Sequence, residues 1–315
     1  MNIMAPHRRA RGVALLTVMF IMVLLTTLVV YMVEDEYLSI RRVSNQQDSE
    51  QGFHIAVYAE QWARKTLESD ARDNRTDHAG EAWATDVPVL REGDTAVLRS
   101  GIQDLQGRFN LNNLAGGRDE VWYPAFRRLL TVLDLDPGLA DAVVDWVDAD
   151  INVSGHYGAE DAEYQLMSPS YRAANRPMVE VSELAWVRGV TPEALAALRP
   201  HVTALPVSDA RINVNTATPE VLRILTPDIL DEGRAAALIS ARGEDGYADV
   251  NVFLARTELA GQWEAAEDMI SVRSEYFEVQ SRVDHGRYAT VLYSVIARPA
   301  DTRQASVIQR RRGVS

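Results

Sequence analysis

The apolar positions of this chain change period several times, and each change marks a different kind of element. From Val13 to Val33 the run VALLTVMFIMVLLTTLVVYMV is apolar and carries no charge. About 20 such residues, each rising 1.5 Å, cross the hydrocarbon core of a bilayer as a helix. The hydroxyls of Thr17, Thr26 and Thr27 interrupt the run and can bond back onto helix carbonyls. Beyond it, Tyr37, Ile40, Arg41, Val43, Phe53, Ile55, Ala56, Tyr58, Ala59, Trp62, Ala63 and Leu67 contain many three- and four-residue spacings, and no proline interrupts residues 13–87. The pattern predicts a single helix from 13 to about 68, roughly 80 Å long, with Gly52 as its weak point. Its apolar stripe outside the membrane needs a cover.

Residues 69–93 are polar and irregular, after which the period becomes two. Thr95–Gln103 alternates as a strand, with Ala96, Leu98 and Gly101 between polar positions. Gly107 marks a bend, and Arg108–Leu111 is extended again. From 118 to 275 the pattern is helical: Val121–Leu133, Pro137–Val147, Val181–Arg188, Pro192–Leu198 and Gly233–Ala241, with Asn251–Ala255 and Trp263–Met269 as shorter candidates. Thr191 and Pro192 supply an N-cap and a first-turn proline. Period two then returns. Phe277, Val279, Ser281 and Val283 are answered, across the turn DHG, by Tyr288, Thr290, Leu292, Ser294 and Ile296, which is a hairpin signal. Ser306–Gln309 can add an edge strand, and the basic tail RRRGVS reads as frayed. Strands therefore bracket a helical block, and one sheet split in sequence by a helical insertion is the economical architecture.

The charges orient this plan. His7, Arg8, Arg9 and Arg11 precede the apolar run, and Glu34, Asp35 and Glu36 follow it, so the short N-terminus faces the cytoplasm and the rest faces out. The run is longer than the apolar region of a cleaved secretory signal, and no Ala-x-Ala follows it. A plain anchor is the simplest alternative. The chain has 315 residues with a net charge of −13, 45 acidic against 32 basic side chains, which repels nucleic acid and suits divalent cations or basic partners. With no cysteine, thiol catalysis and cysteine-ligated metals are excluded. Neither HExxH, GxSxG nor a phosphate loop is present, and no enzyme activity is expected.

Two stretches carry a resemblance. The leader ends at Gly12, with the apolar helix starting at Val13, and RGVALLTV resembles the start of the type IV pilin and pseudopilin family. That resemblance implies cleavage by a prepilin peptidase between Gly12 and Val13, leaving the helix in the inner membrane. Most relatives carry glutamate at the fifth mature position, where this chain has Thr17. A carboxylate in hydrocarbon needs a partner, and a subunit at a filament tip has no neighbour above it to supply one. The stretch DLQGRFNLNNL, residues 104–114, which alone reads as a hairpin with an Asn-rich turn, sharpens the resemblance towards the minor pseudopilin K family of type II secretion.

This resemblance implies an α+β fold: a pilin-like long N-terminal helix packed on an antiparallel sheet, with a large all-helical insertion splitting the sheet. The expected divisions are a basic leader 1–12, a transmembrane half-helix 13–33, the rest of the helix with the first strands 34–117, the helical insertion 118–275, and the closing strands with the tail 276–315. The implied role is a tip subunit of the periplasmic pseudopilus that initiates assembly and supports protein export. Its partners would be other minor pseudopilins, the shaft, the prepilin peptidase, the inner-membrane assembly platform, and the outer-membrane channel or exported cargo, with no nucleic acid.

Two constellations invite chemistry. In 145–165, DWVDADINVSGHYGAEDAEYQ, the residues Asp145, Asp148, Asp150, Glu160, Asp161 and Glu163 crowd together, and Gly155 and Gly158 let the loop fold back. The spacing is not that of an EF-hand and fits a solvated acidic loop as well as a hard-cation site. The family resemblance implies calcium here, with Asp148, Asp150, Glu160 and Asp161 as the expected ligands, Asp145 secondary as a cap of the helix end, and Asn175 orienting the loop. The second constellation, from Ile212, resembles a helix-hairpin-helix motif, and ELAWVRGVTPEALAALRPHV resembles a related half-motif. The hairpin Thr226–Gly233 is acidic and lacks the Gly-hydrophobic-Gly turn, so both segments read as helical packing modules that serve protein contacts, with a membrane-anchored DNA receptor for uptake as the alternative. Trp122, Trp146, Trp186 and Trp263 read as core anchors, and Asn213 and Asn215 as caps of the helix begun near Pro219.

Overall fold

The computed structural model describes residues 10–85, 90–92, 96–118, 121–259, 267–285 and 288–313. The leader residues 1–9, Trp263 and the turn glycine Gly286 lie outside the described residues. Helix α1 spans Ala10–Asp73, 64 residues and about 96 Å at the standard rise. Its first part is the segment long and apolar enough to cross a membrane, and the large apolar side chains from Val13 to Val33 are all more than half exposed. Thr17 Oγ1 and Thr27 Oγ1 donate back to Ala14 and Val23 carbonyls at 2.9 and 2.8 Å, so their polarity is absorbed within the helix.

The far end of α1 is covered by a sheet. Strands β1 (Leu90–Glu92), β2 (Ala96–Asp104), β7 (Tyr276–His285), β8 (Tyr288–Ala297) and β9 (Ser306–Gly313) lie in the order β1-β2-β7-β8-β9, each neighbouring pair antiparallel. Period two sends Leu98, Ile102, Phe277, Val279, Val283, Leu292 and Ile296 to the face that packs on Ala56, Ala59, Ala63 and Leu67 of α1. Gly52 belongs to this packing and does not weaken the helix: a Cβ there would stand 2.8 Å from Thr290 Oγ1 of β8, so only glycine lets the helix lie this close.

Strand β9 corrects the expectation of a frayed tail. Arg310 reaches the fully buried Glu60 of α1 through Nε at 2.7 Å and Nη2 at 2.8 Å, and Ser294 Oγ donates to the same carboxylate at 2.6 Å. Burial alone would raise the pKa of Glu60, but the bonds from Arg310 and Ser294 outweigh it and hold the group below its ordinary value. Arg312, on the same face, lies 4.1 Å over the Phe53 ring of α1. Arg311, on the opposite face, lies 4.3 Å over Tyr293 and pairs with Glu180 at 3.3 Å. Three consecutive arginines thus serve as anchors, because strand alternation turns Arg310 and Arg312 to the helix and Arg311 to the opposite face.

Between β2 and β7 the chain leaves the sheet and forms a head. Its helices are α2 (Trp122–Val132), α3 (Leu139–Val147), α4 (Asp161–Tyr164), α5 (Pro192–Leu198), α6 (Pro219–Arg223), α7 (Glu232–Arg242) and α8 (Val250–Leu254), and Val181–Trp186 is a 3-10 turn. They enclose a core of Phe109, Phe126, Leu129, Val144, Tyr164, Leu184, Val221 and Phe253. The head is not purely helical: β3 (Phe109–Asn110) pairs in parallel with β4 (Val202–Thr203), and β5 (Ile212–Asn213) with β6 (Ile270–Ser271). Asn110, Asn112 and Asn113 form no turn tip. They are buried and bond the chain at Leu205, Val207, Ala210 and Met178, satisfying backbone groups that no regular element pairs.

Head and sheet meet at the corner formed by the ends of β2 and β7. The buried carboxylate of Asp104 accepts from Thr216 Oγ1 at 2.5 Å, Ser274 Oγ at 2.6 Å, Asn213 Nδ2 at 2.9 Å and its own Gln106 N–H at 2.8 Å. Asn213 also donates to the Asp77 carbonyl and Ser274 Oγ, at 3.0 and 2.9 Å. Asn213 and Asn215 are therefore not helix caps. Thr218 caps α6, while Asn215 brackets Tyr247 through its N–H and carbonyl. Of the tryptophans expected in the core, Trp122 and Trp146 are buried, but Trp186 is 52% exposed.

Candidate functional site

The acidic loop follows α3, whose helical spacing puts Asp141, Asp145 and Asp148 towards the same loop. Two of these carboxylates hold loop backbone. Asp141 accepts from His156 N–H at 3.1 Å and Tyr157 N–H at 3.3 Å, and Asp145 accepts from Ser154 N–H at 2.9 Å. Asp145 thus organises the loop and is not a helix cap, and Asp141, which sequence reasoning missed, does the same one turn earlier. Gly155, at φ +63°, and Gly158 make this close return possible: a Cβ on Gly158 would lie 2.2 Å from the Ser154 carbonyl oxygen.

The loop's return brings Asp148, Asp150 and Glu160 together, each offering an oxygen within 4.8 Å of the others. Asp148 and Glu160 are buried, and Asp150 is exposed. Asn175 closes the group from another segment. Held at φ +43°, it donates through Nδ2 to the Asp150 carbonyl at 2.8 Å and to Glu160 Oε2 at 3.3 Å. Asp148 Oδ1, Glu160 Oε1 and Asn175 Oδ1 are buried with no hydrogen-bond partner. Orphaned acceptor oxygens on two of three converging carboxylates and on the amide that bonds one of them form the kind of donor set a hard cation uses. Burial, then repulsion from Asp150 and Asp145, pushes the Asp148 carboxyl up to about 6. Burial first, with its acidic neighbours adding and Asn175 opposing, pushes Glu160 up to about 7.

Asp161, expected as the fourth ligand, is placed elsewhere. At the first position of α4 its carboxylate turns outward, accepting the Ala173 N–H at 3.1 Å and facing Arg172 at 3.7 Å. A second acidic group, Asp70, Asp77 and Glu81, gathers where α1 ends. There the protein supplies its own cation: Arg298 bonds Asp70 at 2.8 Å, Asp77, and the carbonyls of Leu67 and Ser274 at 3.1 and 3.0 Å. Glu81 sits beside the Trp83 indole N–H, and burial pushes it up to about 7.

The helix pair α6–α7 carries little that would hold a phosphate backbone. Arg223 donates to the Leu230 carbonyl at 2.9 Å, Arg234 faces Asp231 at 3.4 Å, and Asp231 caps α7 by accepting from Arg234 N–H. The hairpin is closed by its own acidic residues.

Two family models, each described as type II secretion system protein K, match residues 107–207 and 212–273. The chain is 36% identical to type II secretion system protein K of Pseudomonas aeruginosa, covering 94% of this chain and 91% of that protein. It is 33% identical to the protein of the same description from Klebsiella pneumoniae, with 98% of each covered, and 31% identical to that of Aeromonas hydrophila, over 95% and 96%. Among solved structures it is similar to a chain in the crystal structure of the GspK-GspI-GspJ complex from the enterotoxigenic Escherichia coli type 2 secretion system. The TM-score is 0.78 at 26% identity, covering 87% of this chain and all of that one.

Proposed function

The chain belongs to the type II secretion system protein K family, and from that premise we propose that it is the minor pseudopilin at the tip of the pseudopilus, where it initiates assembly and supports protein export. The observation that carries this reading is the head: a body between β2 and β7, larger than the sheet that bears it, on a 64-residue spine helix. Spine helices stack side by side in a shaft, and such a head has no room between repeats. Thr17, whose hydroxyl is satisfied inside its own helix, asks nothing of a subunit above it.

Because the similar chain was solved in complex with GspI and GspJ, the immediate partners of this protein would be two related minor pseudopilins, and the shaft would lie below them. Before assembly the Val13–Val33 segment anchors the protein in the inner membrane with the sheet and head in the periplasm. The prepilin peptidase cuts between Gly12 and Val13, the new terminus is methylated, and the assembly platform lifts the subunit towards the outer-membrane channel and cargo. The role is mechanical. Calcium would be held by Asp148, Asp150 and Glu160, with Asn175 Oδ1 completing the donor set. When bound, it supplies positive charge that removes the repulsion among these carboxylates and fixes the loop's return. Gold labelling of an epitope on the head, viewed on overproduced pseudopili, tests the placement: label is expected at one end of each fibre, and label along its length would overturn the reading.

A further inference from the structure

Two different kinds of contact join the head to the sheet. At one corner both chain crossings, outbound through Leu105–Arg108 and returning through Val272–Glu275, are fixed by the Asp104 network. Gln106 donates from Nε2 to the Arg211 carbonyl at 2.8 Å and accepts the Glu275 N–H through Oε1 at 2.5 Å, and Leu105 packs with Leu205 and Ala210. This corner is buried and its polar groups are satisfied, so it resists separation.

Beside the corner, where Leu105 and Arg108 also line it, a groove of about 380 Å³ runs between the two bodies. Val179, Val181 and Val202 line its head side, and Glu278, Tyr293 and Val295 its sheet side. The Arg311–Glu180 pair crosses it at 3.3 Å, its side chains 45% and 34% exposed. A single ion pair this open to solvent is weak and salt-sensitive. Arg108, which leads into β3 of the head, lies close enough to Glu278 of β7 to favour its charge.

We propose that the Asp104 corner is a hinge and the Arg311–Glu180 pair a latch, so that the head closes onto the sheet when the pair forms and tilts away from it when the pair is broken. The geometry is that of a strap: β9 is riveted to α1 by Arg310 on Glu60 and by Arg312 on Phe53, which leaves Arg311 as its free hand towards the head. Breaking the Arg311–Glu180 pair leaves those two rivets, and the contact of Arg311 over Tyr293, in place. The proposal stands on these contacts and not on the protein's place in the fibre.

The chain has no cysteine, so Glu193→Cys on the head and Gln280→Cys on the outer sheet face give a clean pair of spin-label sites in the full-length protein in detergent micelles. Pulsed dipolar spectroscopy should show one narrow distance at low salt. With Arg311→Glu added, the distribution should move to longer distances, and Glu180→Arg with Arg311→Glu together should restore the narrow one. Raising salt on the otherwise unaltered pair should mimic the single substitution. A distribution that ignores both Arg311→Glu and salt overturns the latch, as does a charge swap that fails to restore it.

Discussion

Asp148 and Glu160 each bury a carboxylate oxygen that no donor reaches, and a protein interior tolerates such atoms only if something compensates. Calcium binding to the folded state stabilises by mass action, about 2.7 kcal/mol at a hundredfold excess over Kd. For a protein of this size that corresponds to a rise of roughly 5–10 °C or less in melting temperature. The full-length protein in detergent is therefore expected to melt higher in calcium than in chelator, and Asp148→Asn with Glu160→Gln should abolish the difference while raising the melting point in chelator. An equal calcium response in the double variant would refute the assignment. The convergence of Asp148, Asp150 and Glu160 was legible in the sequence, because Gly155 and Gly158 let the acidic stretch fold back on itself. Asp161 misled, because the start of a four-residue helix rotates it outward, which spacing does not encode. Asn175 was legible as the residue that orients the loop, but that its Oδ1 is also buried beside the group depends on a left-handed backbone position twenty-five residues from Asp150, which spacing does not encode.

At the scale of elements, the contact of α1 with β9 is the one whose energetics depend most plainly on pH. Glu60 is held below its ordinary value, so the folded protein binds fewer protons than the unfolded chain between the two pKa values. Its contribution is therefore present above about pH 4.5 and lost as pH falls through the lower, folded value. Glu60→Gln should destabilise the fold by about 1–3 kcal/mol at neutral pH, and the gap to wild type, followed by denaturant titration across pH, should close in acid. A gap that widens as pH falls would contradict the sign. The helices and the hairpin were readable from period 3.6 and period two. What failed was the tail: three adjacent arginines look solvated until strand alternation meets a buried Glu60 and a half-buried Phe53 on a helix some 250 residues earlier. The two short parallel pairs in the head escaped for a related reason, since two residues are too few to show a period.

At the scale of the molecule, the long helix, the split sheet and the inserted head were all foreseeable, because each shift of period coincides with a shift of element. The corner that joins them was not, since Asp77, Asp104, Asn213, Ser274 and Arg298 come from five separated segments. The processing proposed for the leader has a direct readout. Intact mass and N-terminal fragmentation of the membrane-extracted protein are expected to show a chain beginning at a methylated Val13, and a chain that retains Arg8, Arg9 and Arg11 would remove the basis for pilin-type export of the helix.

The pairing of Asp104 with Phe277 also dictates an order of events as the polypeptide matures. Closing a floppy connection of that length costs entropy that only later contacts repay, and non-local strand pairing of this kind slows folding. A head that has already collapsed delivers its two ends to the same corner and turns the long connection into a short clip. The last hairpin can then zip onto β2, so the head is expected to form first and the sheet to follow, leaving the apolar stripe of α1 uncovered until the chain is nearly complete.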